Sequence, residues 1–69
     1  MVVTVLTKNG KESTRHIDAA DIETCEFVVV DGQPLTKIKL RGRRRRAIFV
    51  KEQTAIVLKA KLQADALIN

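Results

Sequence analysis

Eight cations and no acid fall between residues 37 and 51: Lys37, Lys39, Arg41, Arg43, Arg44, Arg45, Arg46 and Lys51. Ammonium and guanidinium groups at this density release counterions when they neutralise phosphates, and arginine adds two-pronged hydrogen bonds to phosphate oxygens or to guanine. Duplex or structured nucleic acid is therefore the first partner the pattern suggests. An acidic protein is the second, and a merely solvated surface is the bland alternative. The run "RGRRRR" also has the composition of a nuclear-localisation tag, although such tags need an accessible, extended peptide.

Other chemistry is thinly represented. One histidine, His16, and one cysteine, Cys25, cannot assemble a zinc-type ligand set without unusual carboxylate help, so no metal is expected. His16 reads as a surface strand residue, and Cys25, alternating with Phe27 and Val29, reads as a small buried hydrophobe. The acids Asp18, Asp21, Glu23 and Glu26 have no nucleophile motif or glycine-rich phosphate loop beside them, and they read as an acidic side opposite the basic one. No catalytic residue and no cofactor is expected. The only aromatic residues, Phe27 and Phe49, lie in strand-like runs that predict packing in the core, which argues against base-stacking on single strands.

The elements that must position the cations are mostly strands. "VVTVLT" leads into "KNGK", where Asn9-Gly10 is a favoured pair for a type I′ hairpin turn, with "ESTRHI" returning. "DAADIE" reads as a turn or a single helical turn, "TCEFVVV" as a strand buried largely on both faces, and "DGQP" as a second reversal. "LTKIKL" alternates, and "RRRRAIFVK" forms its antiparallel partner across a two-residue loop at Arg41-Gly42 or Gly42-Arg43. That loop puts Lys37, Lys39 and Arg41 on one face with Arg44 and Arg46, and Ile38 and Leu40 on the other with Ala47 and Phe49. Arg43 and Arg45 then sit near the hairpin tip. A three-residue loop exchanges the partners. The glycine-free, alanine-rich remainder, with Ala55, Leu58, Leu62 and Ala66 at helical spacing and a Lys61 and Asp65 pair, predicts a terminal helix.

The resulting expectation is one α+β domain over residues 1–69. It has strands near 2–7, 12–17, 24–30, 35–40 and 44–51 and a helix near 53–67, forming a small curved antiparallel sheet or SH3-like barrel capped by the helix. Sixty-nine residues bury only a small core. Residues 1–36 carry three basic and six acidic side chains, a net of −3, while residues 37–51 carry +8, so the chain is electrostatically self-complementary, which favours association of copies head-to-tail or as a two-fold homodimer. A single cysteine, apolar runs no longer than "FVVV" or "AIFV", and the lack of a basic, then apolar, leader favour a cytoplasmic protein without a membrane span.

The order of these signals resembles that of short bacterial flagellar and swarming proteins of the FlbD/SwrD type. The residues that carry it are Asn9-Gly10, Ile17, Asp21-Ile22-Glu23, Pro34, Thr36 to Leu40, Gly42 and Val50-Lys51-Glu52, with Val57 and Leu62 in the helix. The resemblance implies a non-enzymatic β domain that works through partners. The longer link "TCEFVVVDGQP" and the four arginines depart from that pattern, so it carries the layout and no motility role. By architecture alone, the layout is also similar to the basic SH3-like chromatin proteins of thermophilic archaea, a likeness that does not establish function.

Overall fold

The computed structural model describes residues 1–42 and 47–68. Five antiparallel strands form an open sheet: β1 Val2–Leu6, β2 Glu12–His16, β3 Ile22–Val30, β4 Gln33–Leu40 and β5 Ala47–Val50, in the order β2-β1-β5-β4-β3. A 3₁₀ turn, Ala19–Asp21, links β2 to β3, and helix α1, Thr54–Ile68, ends the chain. The fold is α+β, and of the two architectures expected it is the curved sheet that forms. Among the described residues β2 and β3 are unpaired edges, so the barrel is not closed.

The two hairpins use different turns, and the difference corrects the expectation for Asn9-Gly10. Thr7 N–H donates to Lys11 O at 2.9 Å and Gly10 N–H to Thr7 O at 3.0 Å, closing a wider loop in which, of the Asn-Gly pair, Gly10 alone has positive φ, at 76°. This is the three-residue type I loop with a glycine bulge. The two-residue turn with both φ positive lies instead at Asp31 (51°) and Gly32 (77°), between the paired residues Val30 and Gln33. Before β3, the Asp18 side chain caps the 3₁₀ turn by accepting from Ala20 N–H at 2.9 Å.

Register decides which face each residue serves. Val5, Val50, Thr36 and Phe27 form one row across the sheet, and Ile48, Ile38 and Cys25 the next; these rows lie on the side of α1. The core there is Val3, Ile17, Ile22, Ile38, Ile48, Val50 and Val57, with Cys25 and Leu40 packed against it. Cys25 is thus half-buried at the core margin rather than fully enclosed. A bulge between Ile22 and Thr24 puts Ile22 into this core. Without the extra residue, Ile22 would share the parity of Thr24 and point to the other face.

Helix α1 is anchored at its start by Thr36, whose hydroxyl donates to Glu52 O and meets the Thr54 hydroxyl, both at 2.8 Å. From there α1 packs on β3 and the 3₁₀ turn. It buries Val57 completely, while the stripe that reveals it in the sequence, Ala55, Leu58, Leu62 and Ala66, is exposed. Because the helix starts beside Thr36 and runs toward the 3₁₀ turn, it leaves the outer half of β3 uncovered. Phe27 (63%) and Val29 (61%) are therefore exposed, which corrects both the core placement of Phe27 and the reading of "FVVV" as buried on both faces.

Candidate nucleic-acid interface

The pleat of β4 sends Ile38 and Leu40 toward α1 and Lys37 and Lys39 to the opposite, helix-free face. Lys37 is half-buried, and its Nζ lies 3.9 Å from Glu26 Oε1 on the neighbouring strand. Lys39 is exposed between Thr24 on one side and Ala47 on the other. Arg41, also exposed, follows the strand, and its backbone N–H donates to Asp21 O at 2.8 Å. Lys51 joins the same face from beyond β5 and pairs with Glu12 of β2.

The register differs from the expected one. Ile38 pairs with Ile48, Lys37 with Phe49 and Lys39 with Ala47, so Ala47 and Phe49 lie on the lysine face and not with Ile38 and Leu40. These pairs have the parity of the three-residue alternative and not of the two-residue loop. The sharing of a face by Arg44 and Arg46 with Lys37 rested on that loop. Arg43, Arg44, Arg45 and Arg46 themselves lie outside the described residues.

Electrostatically, the face divides into matched and unmatched cations. Lys37 and Lys51 each have a carboxylate, in exposed pairs of the kind that contributes about 0.2–1 kcal/mol. Among the described residues, no carboxylate lies within ion-pair distance of Lys39 or Arg41. Unmatched charge therefore gathers at the end of β4 that leads into the arginines. Glu26 stands beside Lys37, so this acid is interleaved with the cations and does not lie on a separate opposite side.

The same face carries an apolar cleft of about 440 Å³ between the two hairpin tips, with Leu6, Val30, Leu35 and Phe49 in its walls. Leu35 is almost wholly buried there, away from the main core. Phe49 is half-buried on the basic face, whereas the exposed Phe27 belongs to the other one. His16 is exposed on β2, as its polar surroundings suggest. Among the described residues, no group of three His, Cys, Asp or Glu side chains is placed to hold a metal ion, and no helix is long and apolar enough to cross a membrane.

One residue that functional reasoning passes over proves important for placing the face. The Glu52 carboxylate accepts from Thr4 N–H at 2.6 Å, and Lys51 N–H donates to Thr4 O at 2.9 Å. These bonds extend a β1–β5 ladder that otherwise has the single pair Val5 and Val50. The only sequence signal was the acid just ahead of a helix. Compared with models of protein families, with curated proteins and with solved structures, the chain matches none.

Proposed function

We propose that this chain is a non-catalytic binding module that grips duplex or structured nucleic acid by its phosphates, through the end of β4 and the connection that follows it. The observation that supports this reading is the placement of Lys39 and Arg41. Both are exposed, both lack a carboxylate partner among the described residues, and both lead directly into Arg43, Arg44, Arg45 and Arg46. A half-neutralised Lys37 stands at the margin. Backbone-directed contacts of this kind give affinity without base preference. A single half-buried aromatic on the basic face favours paired over single-stranded targets, because stacking platforms present successive exposed rings.

Fluorescence anisotropy with duplex DNA and RNA across a salt series tests the reading. The native chain is expected to bind at micromolar or better near physiological salt. The Lys39→Ala, Arg41→Ala and the Arg44→Ala, Arg46→Ala double variants should each bind more weakly to every sequence, with a salt slope shallower by about 1.8, as two lost phosphate contacts require. Absence of binding by the native chain defeats the reading. The cations would then belong to an acidic protein partner.

A further inference from the structure

The outer side of β3 is a nine-residue row of strand backbone that, among the described residues, nothing pairs with. The type I′ turn at Asp31-Gly32 sets which backbone groups point outward. In a two-residue hairpin the closing pair, here Val30 and Gln33, exchanges both hydrogen bonds, and bonded and non-bonded pairs then alternate along the ladder. Val29 with Pro34, Phe27 with Thr36 and Cys25 with Ile38 are thus non-bonded pairs. Pro34, which has no N–H to give, fits its assigned position. The N–H and C=O groups of Cys25, Phe27 and Val29 therefore face away from the sheet.

We infer that β3 pairs with β3 of a second copy in antiparallel register about a two-fold axis at Phe27, joining two five-stranded sheets into one. The register follows from the outward positions. Centred on Phe27, all three meet in matched pairs: Cys25 with the partner's Val29, Phe27 with the partner's Phe27, and Val29 with the partner's Cys25, giving about six new backbone hydrogen bonds. Centred on Glu26 or Val28, a non-bonded pair stands on the axis and two outward pairs meet in place of three, about four hydrogen bonds instead of six, and the Glu26 register also opposes two carboxylates. Centred on Cys25, the match shortens and Glu23 meets Phe27. The Phe27 register opposes no like charges, since Glu26 meets Val28 and Thr24 meets Val30.

Side chains add to the backbone complementarity. Phe27 and Val29, exposed by about six-tenths, would bury apolar surface against their counterparts on the α1 side. Directly opposed residues in an antiparallel pair project to the same face, so both α1 helices lie on one side of the joined sheet. Both lysine faces lie on the other. The surface is self-complementary in hydrogen bonding, polarity and charge, which favours a second copy over an unrelated strand. This pairing is independent of the nucleic-acid reading.

Sedimentation velocity of the full chain at about 100 µM is expected to give twice the 7.7 kDa monomer mass, as a micromolar dissociation constant requires. Phe27→Lys, which places two ammonium groups at the axis, and Val29→Pro, which removes an outward N–H and no bond to β4, should each weaken the dimer by at least about tenfold. Cross-linking reads the register without relying on either variant. On mild oxidation, Phe27→Cys in a Cys25→Ser background should form a disulfide-linked dimer, its Cα atoms being about 5.5 Å apart. The native chain should not link through Cys25, whose two copies would stand roughly 13 Å apart. A monomeric native chain, a dimer that survives both β3 variants, or efficient Cys25 cross-linking without the Phe27→Cys link would each overturn the proposal.

Discussion

The two edges of the sheet are built on opposite plans. β2 has five residues, Glu-Ser-Thr-Arg-His, all exposed and none apolar. Its cross-strand partners on β1 include Thr4 and Val5, but its own side chains offer an incoming strand only polar and charged groups. β3 has nine residues, is fixed at one end by the fully buried Ile22, and presents Phe27, Val29 and Val30 to solvent at the other. Short length and charge are the usual means by which an edge avoids pairing with another chain, and β2 uses both. On β3 the run from Phe27 to Val30 carries neither. An edge left adhesive beside one that is guarded points to selective use of the adhesive one.

The largest test of this contrast attacks the anchored end of β3. Ile22→Ala should destabilise the fold by about 2–5 kcal/mol in urea denaturation, because it empties a closed position beneath α1. A loss below about 1 kcal/mol would mean that β3 is held by its hairpin alone. Glu52→Ala comes next, at about 1.5–3 kcal/mol, since the part-buried N–H of Thr4 loses a charged acceptor. Its mark on hydrogen exchange should fall on β1 and β2, leaving the amides of β3 and β4 the slower to respond.

Smaller effects separate the turns and the edges themselves. Gly32→Ala forces a Cβ into left-handed backbone and should lower stability by about 1–2 kcal/mol, measured by thermal unfolding. Thr14→Ala on β2 should change stability by less than about 0.5 kcal/mol, as expected at an exposed, unanchored position. On the lysine face, Glu26→Gln should leave folding unchanged and tighten nucleic-acid binding about two- to threefold, by freeing Lys37 from an exposed pair. An unchanged affinity would remove Lys37 from the contact surface.

The order of the elements was legible because it rests on local chemistry. β-branched runs, Gly10, the Asp31-Gly32 pair and the alanine-rich end each set their own backbone, so five strands and a helix follow from residues that need no distant partner. The position of Lys37 and Lys39 on one face opposite Ile38 and Leu40 was legible too, since alternation is a property of a single strand. What could not be read was how strands meet. The parity of Ala47 and Phe49 depends on a loop length that the run "RGRRRR" does not specify, and a change of one residue exchanges the faces. Asn9-Gly10 departs from its expected turn for a related reason. The pair tolerates a tight turn but does not impose one, and the bonds between Thr7 and Lys11 set the wider loop.

By itself, then, the sequence determined composition-driven and short-range matters: the elements and the cluster of charge. Tertiary structure decided which apolar residues are core. Phe27, Val29, Leu58 and Leu62 are as hydrophobic as Ile22 and Val57, and only the path of α1 from Thr36 toward the 3₁₀ turn separates those it covers from those it leaves in water. Hydrophobicity is a property of a side chain. Burial is a property of what lies across from it, and in a small open sheet with one helix there is not enough chain to cover every apolar face.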